Sequence, residues 1–273
     1  MSNKFEKHIK LEHEQTALEC LSEKIALSKQ QLKKLMQNGA VWLENDIGIH
    51  RVRRARKKLQ LNNQLHVYYD AKIQATEPPE AKLISDEGDY SIWNKPSGMY
   101  SQGTKWGDHC TINRWAEQHL LPQRPAFIVH RLDKAANGLI IIAHKKNVAE
   151  KFSRLFECRE IYKKYRVQVE GVFKHITLPY EINAMLDDKQ AISEIISLTR
   201  NEASQQTLVD ITIKTGRKHQ IRRHLSEMGY PIVGDRLYHA KNIHVDLQLS
   251  SVSLDFKCPV TGVARHYELV GAA

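Results

Sequence analysis

Apolar positions along the chain switch between helical and strand periods, and each switch marks an element. Leu18, Leu21 and Ile25 recur at helical spacing and predict a short amphipathic helix. A second helix has a defined start: Ser28 is placed to cap it, Gln31 completes a Ser-x-x-Gln capping box, and Leu27 can staple onto Leu32. Asn38-Gly39 supplies the left-handed position that ends it. Ala40 to Leu43 and Gln64 to Tyr69 read as strands on either side of a basic stretch, Arg51, Arg53, Arg54, Arg56, Lys57 and Lys58. Glu77-Pro78-Pro79-Glu80 suits neither helix nor central strand, because two prolines remove donors and fix the backbone. A domain boundary is expected there, with a first domain over 1–75, a linker over 76–81 and a second domain over 82–273.

In the second part, Asp89 to Trp93 reads as a strand leading into a turn at Asn94 to Gly98. Ala126 to Val129 and Leu139 to Ala143 are apolar runs expected of buried strands, and Asn147 to Phe156 is helical. Tyr165, Val167 and Val169 alternate with Arg166 and Gln168, the signature of a half-buried strand. Thr207 to Ile213 is another strand. His219 to Met228 is a helix with Ile221, Leu225 and Met228 on one side, ended by Gly229 and Pro231. Two more strands are expected near Leu247 to Phe256 and His266 to Val270. Strands of uneven spacing with interspersed helices predict an α+β fold rather than a regular βαβ repeat.

Composition narrows the partners. Hydrophobic residues make up 41% of the chain, enough for a packed core. No run of about 18 apolar residues suggests a membrane span, and Met1 to Gln15 lacks the apolar stretch of a secretory signal, so a cytoplasmic location is expected. Cys20, Cys110, Cys158 and Cys258 form no Cys-x-x-Cys pair and carry no zinc-type spacing, so neither metal nor disulfide is expected. The net charge of +10 favours a polyanionic partner.

Two segments carry candidate chemistry. His130-Arg131-Leu132-Asp133 lies between apolar strands, a placement that presents a carboxylate rigidly in a cleft; an Arg–Asp ion pair pinning a loop fits the same residues. In Gly216 to Leu225, a helix brings His219, Arg222 and Arg223 near one another and near Ser226. The basic helix start suits phosphate, and a solvated basic face is the plainer alternative.

The combination resembles the RluA-type pseudouridine synthases. The motifs that carry the likeness are, in order, Lys95-Pro96-Ser97-Gly98, His130-Arg131-Leu132-Asp133, Lys164-Tyr165, Gly216-Arg217-Lys218-His219-Gln220-Ile221-Arg222, Pro231-Ile232-Val233-Gly234-Asp235 and Cys258-Pro259-x-Thr261-Gly262. They span nearly all of residues 90–262. The resemblance implies a mixed, largely antiparallel sheet with flanking helices, and an enzyme that converts selected uridines in RNA to pseudouridine. It makes Asp133 the essential carboxylate, Tyr165 the aromatic beside the target base and Arg222 the basic partner that holds the aspartate ionised. RNA contacts are expected from Arg131, Arg217, Lys218, His219, Gln220 and Arg223. Each catalytic assignment has physical sense. A carboxylate can take a covalent bond and split one hard step into easier ones. An adjacent arginine favours its charged form. A tyrosine offers a stacking face and a polar tip. No metal or redox cofactor is implied. The chain departs from the family where Ala136-Asn137 replaces the usual Thr-Ser after the aspartate, and where Leu247-Gln248-Leu249-Ser250-Ser251 replaces a Leu-His-Ala-type sequence.

The first part resembles the small alpha-L RNA-binding domain of the S-four type through the segment Leu27 to Asp46, with a helical extension expected before it. It departs late, where Asn63-Gln64 stands in place of a frequent Gly-Asp. The likeness implies RNA contact by Lys33, Lys34, Arg51, Arg53 and Arg54. The expectation is thus an RNA isomerase acting on ribosomal RNA, with transfer RNA the alternative, monomeric and free of the membrane. The rival is an RNA-binding or ribosome-assembly factor that kept the fold and lost turnover. A glycosidase would need a second acid tied to Asp133, and no motif supplies one.

Overall fold

The computed structural model describes residues 3–238, 241 and 244–269. The chain divides into two compact units, Met1–Pro78 with Gln102–Trp115, and Pro79–Ser101 with Ala116–Ala273. The division after Pro78 falls in the expected linker. The return of Gln102–Trp115 to the first unit differs from the expectation that 82–273 forms one block.

In chain order the first unit contains β1 (Lys4–Lys10), β2 (Gln15–Thr16), α1 (Ala17–Lys24), α2 (Lys29–Gln37), β3 (Val41–Asn45), β4 (Gly48–Arg51), β5 (Lys58–Leu59), β6 (Gln64–Asp70) and α3 (Ala71–Ala75). A four-stranded antiparallel sheet, ordered β1-β6-β3-β4, buries Val41, Leu43, Leu65 and Val67 against Leu21, Leu32, Leu35 and Met36 of the helices. Both helices begin in capping boxes, Thr16 with Glu19 and Ser28 with Gln31. The helical extension expected before α1 is instead the strand β1, paired with β6 from Lys4↔Asp70 to Lys10↔Gln64. Ile9 is buried and Phe5 packs on the core, a spacing of four that a helix would also satisfy, so it is the seven-position pairing with β6 that holds the segment extended.

Two arginines expected at RNA are committed inside this unit. Asp108, on the returning segment, takes Arg51 Nε at 3.1 Å and Arg53 Nη2 at 2.5 Å. Arg53 also donates to Gln37 O, and Arg51 donates to Gly39 O and Thr104 O while stacking on Trp42. A guanidinium that satisfies carbonyls and a carboxylate at once is holding backbone together. Lys33, Lys34 and Arg54 are exposed.

The remaining elements are β7 (Lys82–Asp86), β8 (Tyr90–Lys95), α4 (Ile112–His119), β9 (Phe127–Ile128), β10 (Asn137–Ala143), α5 (Lys146–Glu157), β11 (Tyr162–Glu170), β12 (Tyr180–Leu186), β13 (Lys189–Asn201), β14 (Gln206–Ile213), α6 (Gln220–Glu227), β15 (Leu249–Lys257) and β16 (Ala264–Glu268). The sheet of the second unit runs β12-β13-β14-β11-β15-β10-β8-β7, with β16 on β15 and β9 on β10. Every pairing is antiparallel except β10 with β15, so the class is mixed α+β as expected. Strand β10 is buried from Gly138 to Ala143, and Leu139 and Ile141 share a core with Tyr90, Phe152 and Phe256.

Three expectations change. The run Ala126 to Val129 is a two-residue strand with Phe127 exposed, because beyond Ile128 the His130 ring, not a strand carbonyl, accepts the Ile141 N–H at 2.9 Å. The long hairpin β12–β13 has no counterpart among the expected strands, because much of it is exposed and its apolar alternation is weak. Its turn is Asp187-Asp188, both at positive φ, in place of the commoner Asn-Gly. The last strand ends at Glu268, and Val270 lies outside the described residues.

Candidate active site

The loop that carries Asp133 is held carbonyl by carbonyl. Ser101 Oγ donates to Leu132 O, Ala136 N to Asp133 O, Gly98 N to Lys134 O, Ser97 Oγ to Ala135 O, and Lys95 Nζ to Ala136 O at 2.6 Å. Four of these donors come from Lys95–Ser101, which explains chemically why a Lys-Pro-Ser-Gly turn accompanies the aspartate. Lys95 is fully buried and also donates to Pro96 O and Met99 O. Burial pushes its pKa down to about 7, opposed by the nearby Asp133 charge.

Opposite the loop, α6 presents Arg222. Its apolar neighbours Ile221 and Leu225 pull the helix onto the sheet, and Gln220 is buried with them. Gln220 spends its amide on Ile192 O, Ser193 Oγ, Thr215 Oγ1 and Arg217 N, so it fastens the helix start, and it also lines the cleft. Arg222, also buried, donates through Nη1 to Asp133 Oδ2 at 3.0 Å and grips Asp235 bidentately at 2.7 and 2.8 Å. Burial depresses its pKa, but the two carboxylates outweigh that and raise it. For Asp235 burial raises the pKa, and Arg222 with the N–H groups of Leu237 and Tyr238 brings it below the ordinary value. Asp235 follows Gly234, whose φ of +81° and contact with Asp246 O leave no room for a Cβ.

Asp133 therefore has one oxygen held and one open. Oδ1 accepts no hydrogen bond among the described residues and lies 3.7 Å from His219 Nε2. His219 caps α6 with φ at +54° and pairs through Nδ1 with the Tyr238 hydroxyl at 2.9 Å. Its pKa is lowered, chiefly by burial, against the pull of Asp133. Tyr165 enters from β11 beside a β-bulge between Lys164 and Tyr165, a device that re-aims a side chain. Burial, followed by the Asp133 charge, pushes its phenol pKa up, so the hydroxyl keeps its proton.

These groups line one cleft of about 860 Å³, which holds Asp133, Tyr165, His219 and Arg222 with Arg131 and Arg217. The structure thus brings together the three residues singled out as catalytic. Lys218 is exposed and lies off the cleft lining, and Arg223 pairs with Asp187 of the hairpin turn at 3.1 Å. Sequence reasoning gave no role to Asp235 or Lys95, although both sit in quoted motifs; the signal was an acid and a base at motif ends. The two departures meet in space: Ser250 Oγ donates to Asn137 Oδ1 where β10 and β15 pair. Among the described residues no cluster of three or more His, Cys, Asp or Glu is arranged to hold a metal ion.

Comparison with known proteins gives the same answer by another route. Residues 89–227, about half of the chain, match the family described as RNA pseudouridylate synthase. An uncharacterized RNA pseudouridine synthase of Aquifex aeolicus is 28% identical over 82% of this chain and 77% of that protein. The dual-specificity RNA pseudouridine synthase RluA of Vibrio cholerae is 33% identical over 66% of this chain and 79% of that one. The ribosomal large subunit pseudouridine synthase C of Buchnera aphidicola is 28% identical over 68% of this chain and 60% of its own length. The solved structure of human RNA pseudouridylate synthase domain containing 1 shares the fold, with a TM-score of 0.58 and 19% identity over 71% of this chain and 86% of that one. Together the family match, the ordered motifs and the fold show that this chain belongs to the RluA-type RNA pseudouridine synthases, isomerases that act on RNA.

Proposed function

We propose that this pseudouridine synthase works through Asp133 as its nucleophile on uridines of ribosomal RNA. The observation that carries the reading is the asymmetry of the Asp133 carboxylate in the cleft, one oxygen bound by Arg222 and the other 3.7 Å from His219 with no hydrogen bond among the described residues. The open oxygen adds to the nucleotide, and the C1′–N1 bond breaks. The uracil turns, C1′ joins C5, and the bond between the Asp133 oxygen and the nucleotide breaks, which frees the carboxylate. The C5 proton leaves and N1 gains one, so the product is an isomer with no atom gained or lost. Tyr165 packs against the displaced base and keeps water from it. Arg222 is held in place by Asp235, so its position is set before substrate arrives.

The uridine must leave its stack to reach the cleft, at a cost of about a few kcal/mol, least in loops. Exposed Lys33, Lys34 and Arg54 of the first unit return part of that cost by gripping RNA phosphate, in keeping with an S-four-type domain. An accessory domain and the names of relatives such as the Buchnera protein favour large-subunit ribosomal RNA. The protein acts as a monomer in the cytoplasm; among the described residues no helix is long and apolar enough to cross a membrane. Asp133→Ala should abolish pseudouridine formation on total cellular RNA while RNA affinity survives. A wild-type protein that forms none on the same RNA would establish the rival, a binding or assembly factor. Mapping pseudouridines with and without the gene identifies the position.

A further inference from the structure

Three helices of this protein end in the same hydrogen-bonded turn, and one of them uses the wrong residue. After α2 and α6 the left-handed position is Gly39 and Gly229, with φ of +75° and +84°. The N–H of each glycine bonds three residues back, to Met36 O and Ser226 O, and the next N–H bonds five back, to Leu35 O and Leu225 O. After α5 the same two bonds form, Arg159 N to Phe156 O and Glu160 N to Leu155 O, but the left-handed residue is an arginine at φ +60°. A side chain there strains the backbone where glycine would not. Strain retained at one of three equivalent turns points to a use for the side chain.

Arg159 lines the cleft that holds Asp133, and so do Arg131 and Lys163, the latter two positions before Tyr165 on β11. Cations of the cleft fall into two groups. Arg222 is paired with two aspartates, Lys214 with Glu181 at 2.9 Å and Glu194 at 4.0 Å, and Arg217 donates to Gln190 O. Among the described residues Arg131, Arg159 and Lys163 have no acidic partner, although Glu157 and Glu160 line the same side. Lys163 Nζ lies 5.4 Å from the centre of the Phe156 ring, and burial without a counter-charge lowers its pKa to about 8. Beside it His130 is pushed down to about 3, mainly by burial, and is neutral, its Nε2 spent on the Ile141 N–H. Among the described residues the lysine is a cation with no carboxylate in ion-pair contact.

We propose that Arg159 and Lys163, flanked by Arg131, form a phosphate-binding wall that grips the backbone of the RNA strand carrying the target uridine. The proposal rests on the reading that the RNA strand enters this cleft. A phosphate on the wall would meet two cations that have no acidic partner and restore the full charge of Lys163. The α6 side of the cleft, with its cations already neutralised or bonded, is left to the base and sugar.

The test uses the full chain in an Asp133→Ala background and a stem–loop RNA with uridines in its loop. Affinity is followed by fluorescence anisotropy over a range of salt. Arg159→Gly and Lys163→Gln should each weaken binding and reduce the slope of log K against log salt by about 0.7, the value for one phosphate contact on a single strand. Lys214→Gln, which removes a paired cation, should leave the slope unchanged. Arg159→Gly should also melt no lower than its parent, since glycine relieves the turn. An unchanged slope for either wall variant overturns the proposal, as does an Arg159→Gly protein that melts lower with affinity intact. Wild-type protein is assayed in parallel for pseudouridine. Failure of that assay sinks the functional reading, whereas success with unchanged slopes sinks only the wall.

Discussion

Ser250 donates a hydrogen bond to the side chain of Asn137, tying the end of the Asp133 loop to the strand that also carries the partner of Tyr165. Strands β10 and β15 pair over only two positions, Asn137↔Ser250 and Gly138↔Ser251, and Ser251 pairs on its other side with Tyr165. Asn137 and Ser250 belong to the two stretches where the chain departs from its family's usual residues. The lost hydroxyls are answered by a new amide–hydroxyl contact.

That contact predicts coupling. Asn137→Ala and Ser250→Ala should each cost about 1 kcal/mol of stability, and the double variant distinctly less than their sum. Urea unfolding of the four proteins measures it. Strict additivity would show that the pair is incidental.

Asp235 should matter more than its distance from the reaction suggests. Removing it leaves the Arg222 guanidinium buried with one carboxylate in place of two. Asp235→Ala is expected to lose about 3–5 kcal/mol, the usual cost of breaking a buried pair, and turnover should fall with it. The folded pKa of Asp235 is depressed, so its stabilisation is present above the unfolded value near 3.9 and is lost as pH falls through the folded value. Asp235→Asn should therefore flatten the acid limb of the stability curve; an unaltered limb counts against the pair.

Lys95 makes stability rise with pH as well, but in an alkaline window and for a different reason, since burial disfavours its charged form. Its folded pKa of about 7 lies below the ordinary lysine value near 10.4, so the unfolded chain binds an extra proton between those limits. Stability should rise from pH 7 towards pH 10, with a slope of at most about 1.4 kcal/mol per pH unit from this group. Lys95→Met should lose that rise, and also lower turnover by loosening the carbonyls of the Asp133 loop. Denaturant midpoints across the pH range decide it, and a flat wild-type profile would count against the lysine.

Arg53 and Arg54, adjacent in sequence, should behave differently. Arg53→Ala breaks the Asp108 ion pair and the bond to Gln37 O, and the first unit should melt lower. Arg54→Ala should leave melting unchanged and weaken RNA binding with a smaller salt slope. Identical behaviour of the two would contradict the assignment.

Much of this protein was legible in the chain itself. Capping boxes at Ser28, strand alternation around Tyr165 and the apolar face of α6 are local patterns whose period follows from backbone geometry, and the structure contains each of them. The motif order also set the reaction family and picked out Asp133, Tyr165 and Arg222. What tertiary structure alone decided were relations between residues far apart in sequence. Which arginines are spent on Asp108 and which face solvent, that Gln220 fastens a helix, that Asp235 holds Arg222, and that Asn137 finds Ser250 all depend on pairings across the sheet or on segments returning from elsewhere. A sequence states which donors and acceptors exist. Only the packed chain, which must satisfy each one it buries, determines where they are used.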